Sequence, residues 1–161
     1  MGGSILRGDV REDSLATRKK PLWKCPRCGH RFVTRNLWHS CGRHRLADHF
    51  KRKDPGVRRL FDRFRALVRR CGPVTVYAQK TEIVFQVRVR FAGAKPQKDG
   101  IEAMLWLTRK AKHPRLLRIL SPYPNAHVHL FRIESLADLD AAFAALVRES
   151  YRVGRQEHVR R

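Results

Sequence analysis

The chain has 161 residues, 42% hydrophobic and 31% charged, which suits one folded domain with a small attachment and argues against a disordered chain. Lys and Arg number 36 against 14 Asp and Glu, a formal net charge of +22 that makes RNA, DNA or an anionic surface the first class of partner. Four cysteines, two of them in a close pair, disfavour an extracellular disulfide scaffold, and no run nears the roughly 18 apolar residues of a membrane span.

Residues 1–20 lack periodicity and are expected to form a flexible basic leader. This stretch has no signal-peptide core, and Leu6 stands where a myristoylation signal needs Ser or Thr, so the expected location is the cytoplasm without membrane insertion.

Residues 21–50 form the strongest local signal: Cys25-Pro26-Arg27-Cys28-Gly29, followed by His39-Ser40-Cys41. A Cys-x-x-Cys knuckle lets two thiolates grip one tetrahedral ion, and a second pair completes four ligands. Cys25, Cys28, His39 and Cys41 supply that set, with His44 or His49 as competing choices for the histidine. Zn²⁺ is the ion this chemistry favours, in a structural role, because a closed four-ligand site leaves no position for substrate. Phe32 is the candidate core aromatic of the module, and Trp23 and Trp38 are candidates to cover the metal.

Residues 51–155 are expected to form an α+β domain, with 156–161 as a basic tail. Asp54-Pro55 starts a helix whose apolar face is Val57, Leu60, Phe61, Phe64, Leu67, Val68 and Cys71, ended by Gly72-Pro73. Val74–Gln79 alternates as a strand, and Ile83–Phe91 reads as one unusually long strand. Gly93–Gly100 is expected to be a basic turn, Ile101–Thr108 a strand, Arg109–Asn125 a loop, and Ala126–Ile133 a last strand. Ser135 and Asp138 resemble a capping box before a closing helix with Leu136, Leu139, Phe143, Leu146 and Val147 on its face. The fold class is therefore α+β: a small zinc-binding module, then an antiparallel sheet, one face covered and one wet, packed with two helices.

The segments CPRCG, Phe32, His39-Ser40-Cys41, VRRLFDRF, CGPV, KTEIVFQVRVRFA and HVHLFRI resemble a bacterial family known as domain of unknown function 5655, with a zinc-finger-like segment ahead of it. The resemblance spans residues 22–153. It implies matching Cys-x-x-Cys and His-x-Cys pairs, which favours His39 over His44, and it departs from the family at Leu37 and Trp38, where polar residues are the pattern. It implies no reaction.

Catalytic templates fail: there is no phosphate-binding Gly-rich loop and no nucleophile elbow, and none of the six glutamates is followed two residues later by lysine. The leftover constellation is His127 and His129 on one strand face, with Lys80 and Glu82 placed to meet them from a neighbouring strand. That set would suit proton transfer or phosphate contact in an enzyme or small-ligand module, although two same-face histidines define no chemistry by themselves.

Charge is unevenly placed: residues 21–71 carry fifteen basic and three acidic side chains, whereas residues 134–161 carry five of each. Three basic features are expected to contact phosphates: Arg27, Arg31, Arg35, Arg43, Arg45, Lys51, Arg52 and Lys53 around the cysteine module; Arg58, Arg59 and Arg63 on the helix; and Arg109, Lys110, Lys112 and Arg115 in the later loop, where His113 is read as a surface cation partner. Trp23, Trp38 and Trp106 are candidate stacking platforms. The leading expectation is nucleic-acid binding without assigned catalysis, with RNA (perhaps ribosomal) or DNA as partner; an adaptor for an acidic protein is the further alternative.

Overall fold

A computed structural model describes residues 19–159; the expected leader, apart from its last two residues, and the last two residues of the expected tail lie outside them. Two short strands, β1 (Trp23–Lys24) and β2 (Arg31–Phe32), pair antiparallel and carry the cysteine knuckle between them. A 3-10 turn at Leu46–Phe50 leads to α1 (Pro55–Arg69). Six strands follow: β3 (Thr75–Ala78), β4 (Ile83–Gln86), β5 (Arg90–Pro96), β6 (Ile101–Leu107), β7 (Leu116–Tyr123) and β8 (Ala126–Ile133). A 3-10 turn at Leu136–Asp138 and helix α2 (Ala141–Gly154) close the described chain.

The strand order is β3-β4-β5-β6-β8-β7, antiparallel throughout, with both helices on one face. α1 forms where expected. The Asp54 carboxylate accepts from Gly56 N–H, Pro55 needs no donor in the first turn, and Val57, Leu60, Phe61, Phe64, Leu67 and Val68 are buried. These side chains meet Ile83, Phe85, Phe91, Leu105 and Phe131 from the sheet and Phe143 and Val147 from α2. Six phenylalanines are fully buried, and Phe131 and Phe143 pack edge to face at 5.2 Å. Each such side chain contributes about 1.5–3 kcal/mol by leaving water, so this face holds the domain together.

Four local expectations are corrected. The single long strand over Ile83–Phe91 is a hairpin, β4 and β5, which turns at Val87–Val89 with no Gly, Pro, Asn or Asp in the turn. Its turn is held from outside: the Gly154 carbonyl at the end of α2 accepts from the N–H groups of Arg88 and Val89. Gly154 is needed there because a Cβ would stand 2.5 Å from the Phe91 ring. The expected turn at Gly93–Gly100 starts later, since β5 runs through Pro96 and Gln97 N–H closes the turn on Gly100 C=O. Arg109–Asn125 is not a loop throughout: β7 occupies Leu116–Tyr123, an edge strand whose exposed face and two register shifts break the alternation that marks strands in sequence. Asp138 does reach Ser135 N–H, but that box caps the 3-10 turn, and α2 itself is capped by Asp140, which accepts from Phe143 N–H at 2.8 Å.

The second sheet face is only partly wet. The cysteine module covers its β3–β4 end, where Gln86, expected to face water, is 5% exposed. The Gln86 side-chain amide donates to Arg31 C=O in the module and accepts from the Tyr77 hydroxyl at 3.0 Å, while the His30 ring lies 4.0 Å from the Tyr77 ring. His44 then pairs with Ala78 in an isolated antiparallel bridge, and His49 Nε2 donates to Gln79 C=O, so the linker from the module screens the exposed edge of β3. Among the described residues, no helix is long and apolar enough to cross a membrane.

Candidate metal centre and its surroundings

The knuckle is built by backbone hydrogen bonds before any ion is considered. Cys25 N–H donates to His30 C=O, and Gly29 N–H donates back to Cys25 C=O at 2.9 Å. Gly29 takes φ +76°, a left-handed conformation that ends the turn and that a side chain would disfavour. Cys25 and Cys28 are thereby placed on one side, and the loop after β2 returns His39 and Cys41 to meet them.

The three sulfurs and one imidazole nitrogen of Cys25, Cys28, Cys41 and His39 all lie within 4.8 Å of one another, so the cluster can hold a metal ion. Cys25 Sγ and Cys41 Sγ are 3.8 Å apart; thiolates at about 2.3 Å from a tetrahedral ion stand about 3.8 Å from each other. His39 Nε2 is 3.1 Å from Cys28 Sγ and 3.2 Å from Cys41 Sγ. Its Nδ1–H donates to Leu37 C=O at 2.6 Å, which fixes the tautomer that leaves Nε2 as the free donor atom. His39 is therefore the fourth member of the cluster. The alternatives are corrected: His49 Nε2 is bound to Gln79 C=O, and His44 lies outside the cluster, in the bridge to β3.

The electrostatics fit a cation. The Cys28 backbone N–H pointing at its sulfur lowers the Cys25 thiol to about 6. Burial, followed by the neighbouring sulfurs, raises the Cys41 thiol to about 11. With the Cys25 thiol held low and the Cys41 thiol held high, the two do not ionise together, and a divalent ion between them would remove that conflict. Phe32, buried as the expected core aromatic, packs its ring 4.3 Å from His39, and Trp23 lies edge-on to His39 at 6.4 Å, over the cluster as the sequence suggested. Trp38 does not: it is 91% exposed, with Val33 and Leu37 also exposed beside it.

Beside the cluster runs an open groove of about 510 Å³. The ligand loop (Val33 and Leu37–Ser40) contributes one side, and Tyr77, Gln86 and Trp106 contribute from the sheet. Gln79–Thr81 and Arg88–Arg90 contribute from the two turns. Its lining includes Lys80, Arg88 and Arg90 but no carboxylate. Nothing in periodicity marked this groove, because the module that forms it docks through Gln86, one polar residue among many on the strands.

The expected constellation of Lys80, Glu82, His127 and His129 is not assembled. β5 and β6 separate β4 from β8, and Glu82 pairs with Arg90 at 3.1 Å while its other oxygen lies over Gly93. His127 and His129 do share a face, but it is the helix-covered face that Phe131 also occupies, where His129 is 0% exposed. His129 Nε2 accepts from Ala111 N–H at 2.9 Å, its Nδ1–H donates to His127 C=O, and burial lowers its pKa. His127 Nδ1 is 2.8 Å from the Ser121 hydroxyl. Both ring nitrogens of His129 are thus engaged within the fold, and His127 is held through Nδ1. His113 is likewise no surface cation partner: its ring is buried against Phe131 and Phe143, 3.6 Å from Asp140.

The basic residues separate into two groups. Arg115 is tied to the buried Asp138 at 2.6 Å, Arg109 grips Glu149 through two bonds, Arg58 pairs with Asp62, and Lys51 with Asp48. Arg115 in particular is a structural partner, since the acids that hold it lie about twenty residues away and leave no mark in the basic run around it. By contrast Arg27, Arg31, Arg35, Arg43, Arg45, Arg52, Arg59, Arg63, Lys110 and Lys112 are exposed and have no acidic partner among the described residues. Lys53, half-buried, has none either.

No curated protein and no solved structure matches the chain. The family model described as Domain of unknown function (DUF5655) matches residues 46–154, which takes in the helix pair and the whole six-stranded sheet. The match begins later than the resemblance suggested, so the four clustered ligands stand outside it. With most of its length matched, the chain belongs to the DUF5655 family.

Proposed function

We propose that this is a zinc-stabilised nucleic-acid-binding protein that contacts phosphates through its cysteine module and the arginine face of α1. The carrying observation is a charge imbalance that the fold does not relieve. Between Lys19 and Ala47 there are eight Lys and Arg and not one Asp or Glu. Cations held on a metal-fixed frame, with nothing to neutralise them, suit a ligand that brings a row of negative charges. Most are arginines, whose forked donors match phosphate oxygens.

Zn²⁺ is the ion that best fits a cluster of three cysteine sulfurs and one imidazole nitrogen. Cys25, Cys28, His39 and Cys41 would hold it, and it would supply folding energy rather than chemistry, because all four positions are filled by protein. The cations of the module are thus fixed only when the metal is bound.

The test is binding of labelled RNA and DNA oligonucleotides across a salt series, with metal content measured on the same sample. About six phosphate contacts would make the logarithm of affinity fall against that of salt with a slope near −4 for a single strand. Reversing charge at Arg27, Arg31 and Arg35 together should weaken binding by about tenfold or more, whereas reversal at Arg148 and Arg152 in α2 should do little. An affinity indifferent to salt, or no binding to any nucleic acid, would remove this reading; co-purification with an acidic protein instead would favour an adaptor.

A further inference from the structure

We infer that the groove between the ligand loop and the open sheet face receives unpaired bases of a single-stranded nucleic acid, with Trp38 as the stacking platform; this rests on the nucleic-acid reading above and names its substrate. A tryptophan carries the largest apolar surface of any side chain, and leaving it 91% exposed in a folded loop forgoes most of what its burial would contribute. Core packing does not account for Trp38, and neither does the metal cluster, which Trp23 and Phe32 already cover. The loop itself is anchored on both sides of the ring. Leu37 C=O holds the His39 imidazole and His39 belongs to the metal cluster, so Trp38 projects from a fixed backbone.

The rest of the groove matches a nucleotide rather than a peptide side chain or a lipid tail. Tyr77 and Trp106 bring further aromatic surface from the sheet, and Lys80 and Arg88 bring positive charge, while Arg90, also in the lining, is paired with Glu82. Lys80 is exposed and has no acidic partner among the described residues. Arg88 is fixed by neutral acceptors, Gln156 Oε1 and Lys20 C=O, which position the guanidinium without cancelling its charge. Flat aromatic faces beside phosphate-binding cations are the two requirements of single-strand recognition: every base has a face to stack, and every nucleotide carries one phosphate. A duplex offers the phosphates but keeps its bases stacked on each other, so Trp38 has nothing to receive from it. The volume, about 510 Å³, lies within the range of roughly 300–1,000 Å³ typical of ligand pockets and is open rather than sealed, as a continuing strand requires.

The experiment is fluorescence anisotropy on the full metal-loaded chain with a labelled oligonucleotide of about twelve nucleotides, as RNA and as DNA, each also annealed to its complement. The single strands should bind more tightly than the duplexes, and Trp38→Ala should weaken single-strand binding about 10- to 100-fold while leaving duplex binding and metal content unchanged. Trp38→Phe should recover part of the loss, and Lys80→Glu should weaken the single strand and lower its salt slope by about one contact. If strand and duplex bind alike and Trp38→Ala moves neither, the groove has no such role, although the phosphate reading stands. If Trp38→Ala lowers both together with metal content, the ring is structural and the inference falls. If no oligonucleotide binds in any form, both readings fall.

Discussion

The cysteine module and the sheet domain are held together in opposite ways. Across residues 21–50 only Cys25 and Phe32 are buried, so the module has almost no apolar core. From α1 to α2, by contrast, a continuous cluster of buried aliphatic and aromatic side chains joins both helices to the sheet. Charge follows the same division. The sheet domain pairs its acids with particular bases, such as Arg115 with Asp138 and Arg109 with Glu149, whereas the module has almost no acids to pair. A region with its own apolar core can hold internal ion pairs, whereas the module, with a cluster that can hold an ion in place of a core, leaves its cations outward.

Removing the ion should give the largest effect and break the comparison most cleanly. Structural zinc sites contribute about 10–16 kcal/mol to small modules, far more than Phe32 alone supplies. Chelation, or Cys28→Ser, should unfold the module, shifting Trp23 emission to the red, while the thermal transition of the sheet domain remains. A single shared transition that vanishes with the metal would show the two regions to be one cooperative unit.

The converse change lies in the sheet domain. Phe143→Ala should cost about 3–5 kcal/mol in denaturant unfolding, because Phe143 meets Phe64, Phe131 and the His113 ring in a fully buried position. Metal stoichiometry in the folded protein should stay unchanged. Metal loss that shifts to lower denaturant in step with the sheet's unfolding would contradict that independence.

What was legible in the sequence divides along the same line. The ligands were readable because a metal demands residue types and spacings that local sequence carries, and α1 was readable because its cap and its apolar face repeat every three or four residues. The β4–β5 turn was not, because its residues have no turn chemistry and the turn is imposed by Gly154, more than sixty residues away. The β7 strand was hidden by its edge position, and the role of Arg115 by distant acids. The groove was hidden for a related reason: it exists only where module and sheet meet, and the residue that joins them, Gln86, reads as an ordinary polar position on a strand.

Gln86 therefore offers the next test, of coupling between the regions. Gln86→Ala removes the donor to Arg31 C=O and the acceptor of the Tyr77 hydroxyl at once. Leaving such groups unpaired costs about 1–3 kcal/mol. The expected outcome is a modest drop in domain stability together with faster metal loss to a chelator, because the module is released from its seat. A drop in stability with unchanged metal kinetics would mean that the module does not depend on the sheet for its hold on the ion.

The smallest expected effect is on pH dependence, and in the sheet domain it centres on His129. Burial lowers the pKa of His129 below its ordinary 6.5, and the ring has no room to gain a proton without losing a bond, since Nε2 already accepts from Ala111 N–H. The unfolded chain therefore binds this proton at a higher pH than the folded one, so stability is fully present above about 6.5 and declines as the pH falls below it. Denaturant titrations from neutral pH down to about 5 should show that decline, with a slope of at most one proton from this group. His129→Gln should flatten the slope, because a side chain that still accepts from Ala111 N–H cannot take up the proton. The metal centre would add its own acid sensitivity by protonation of its ligands, so the measurement should follow near-ultraviolet signals of Tyr151 and Trp106 rather than Trp23. A slope that survives His129→Gln would place the proton elsewhere.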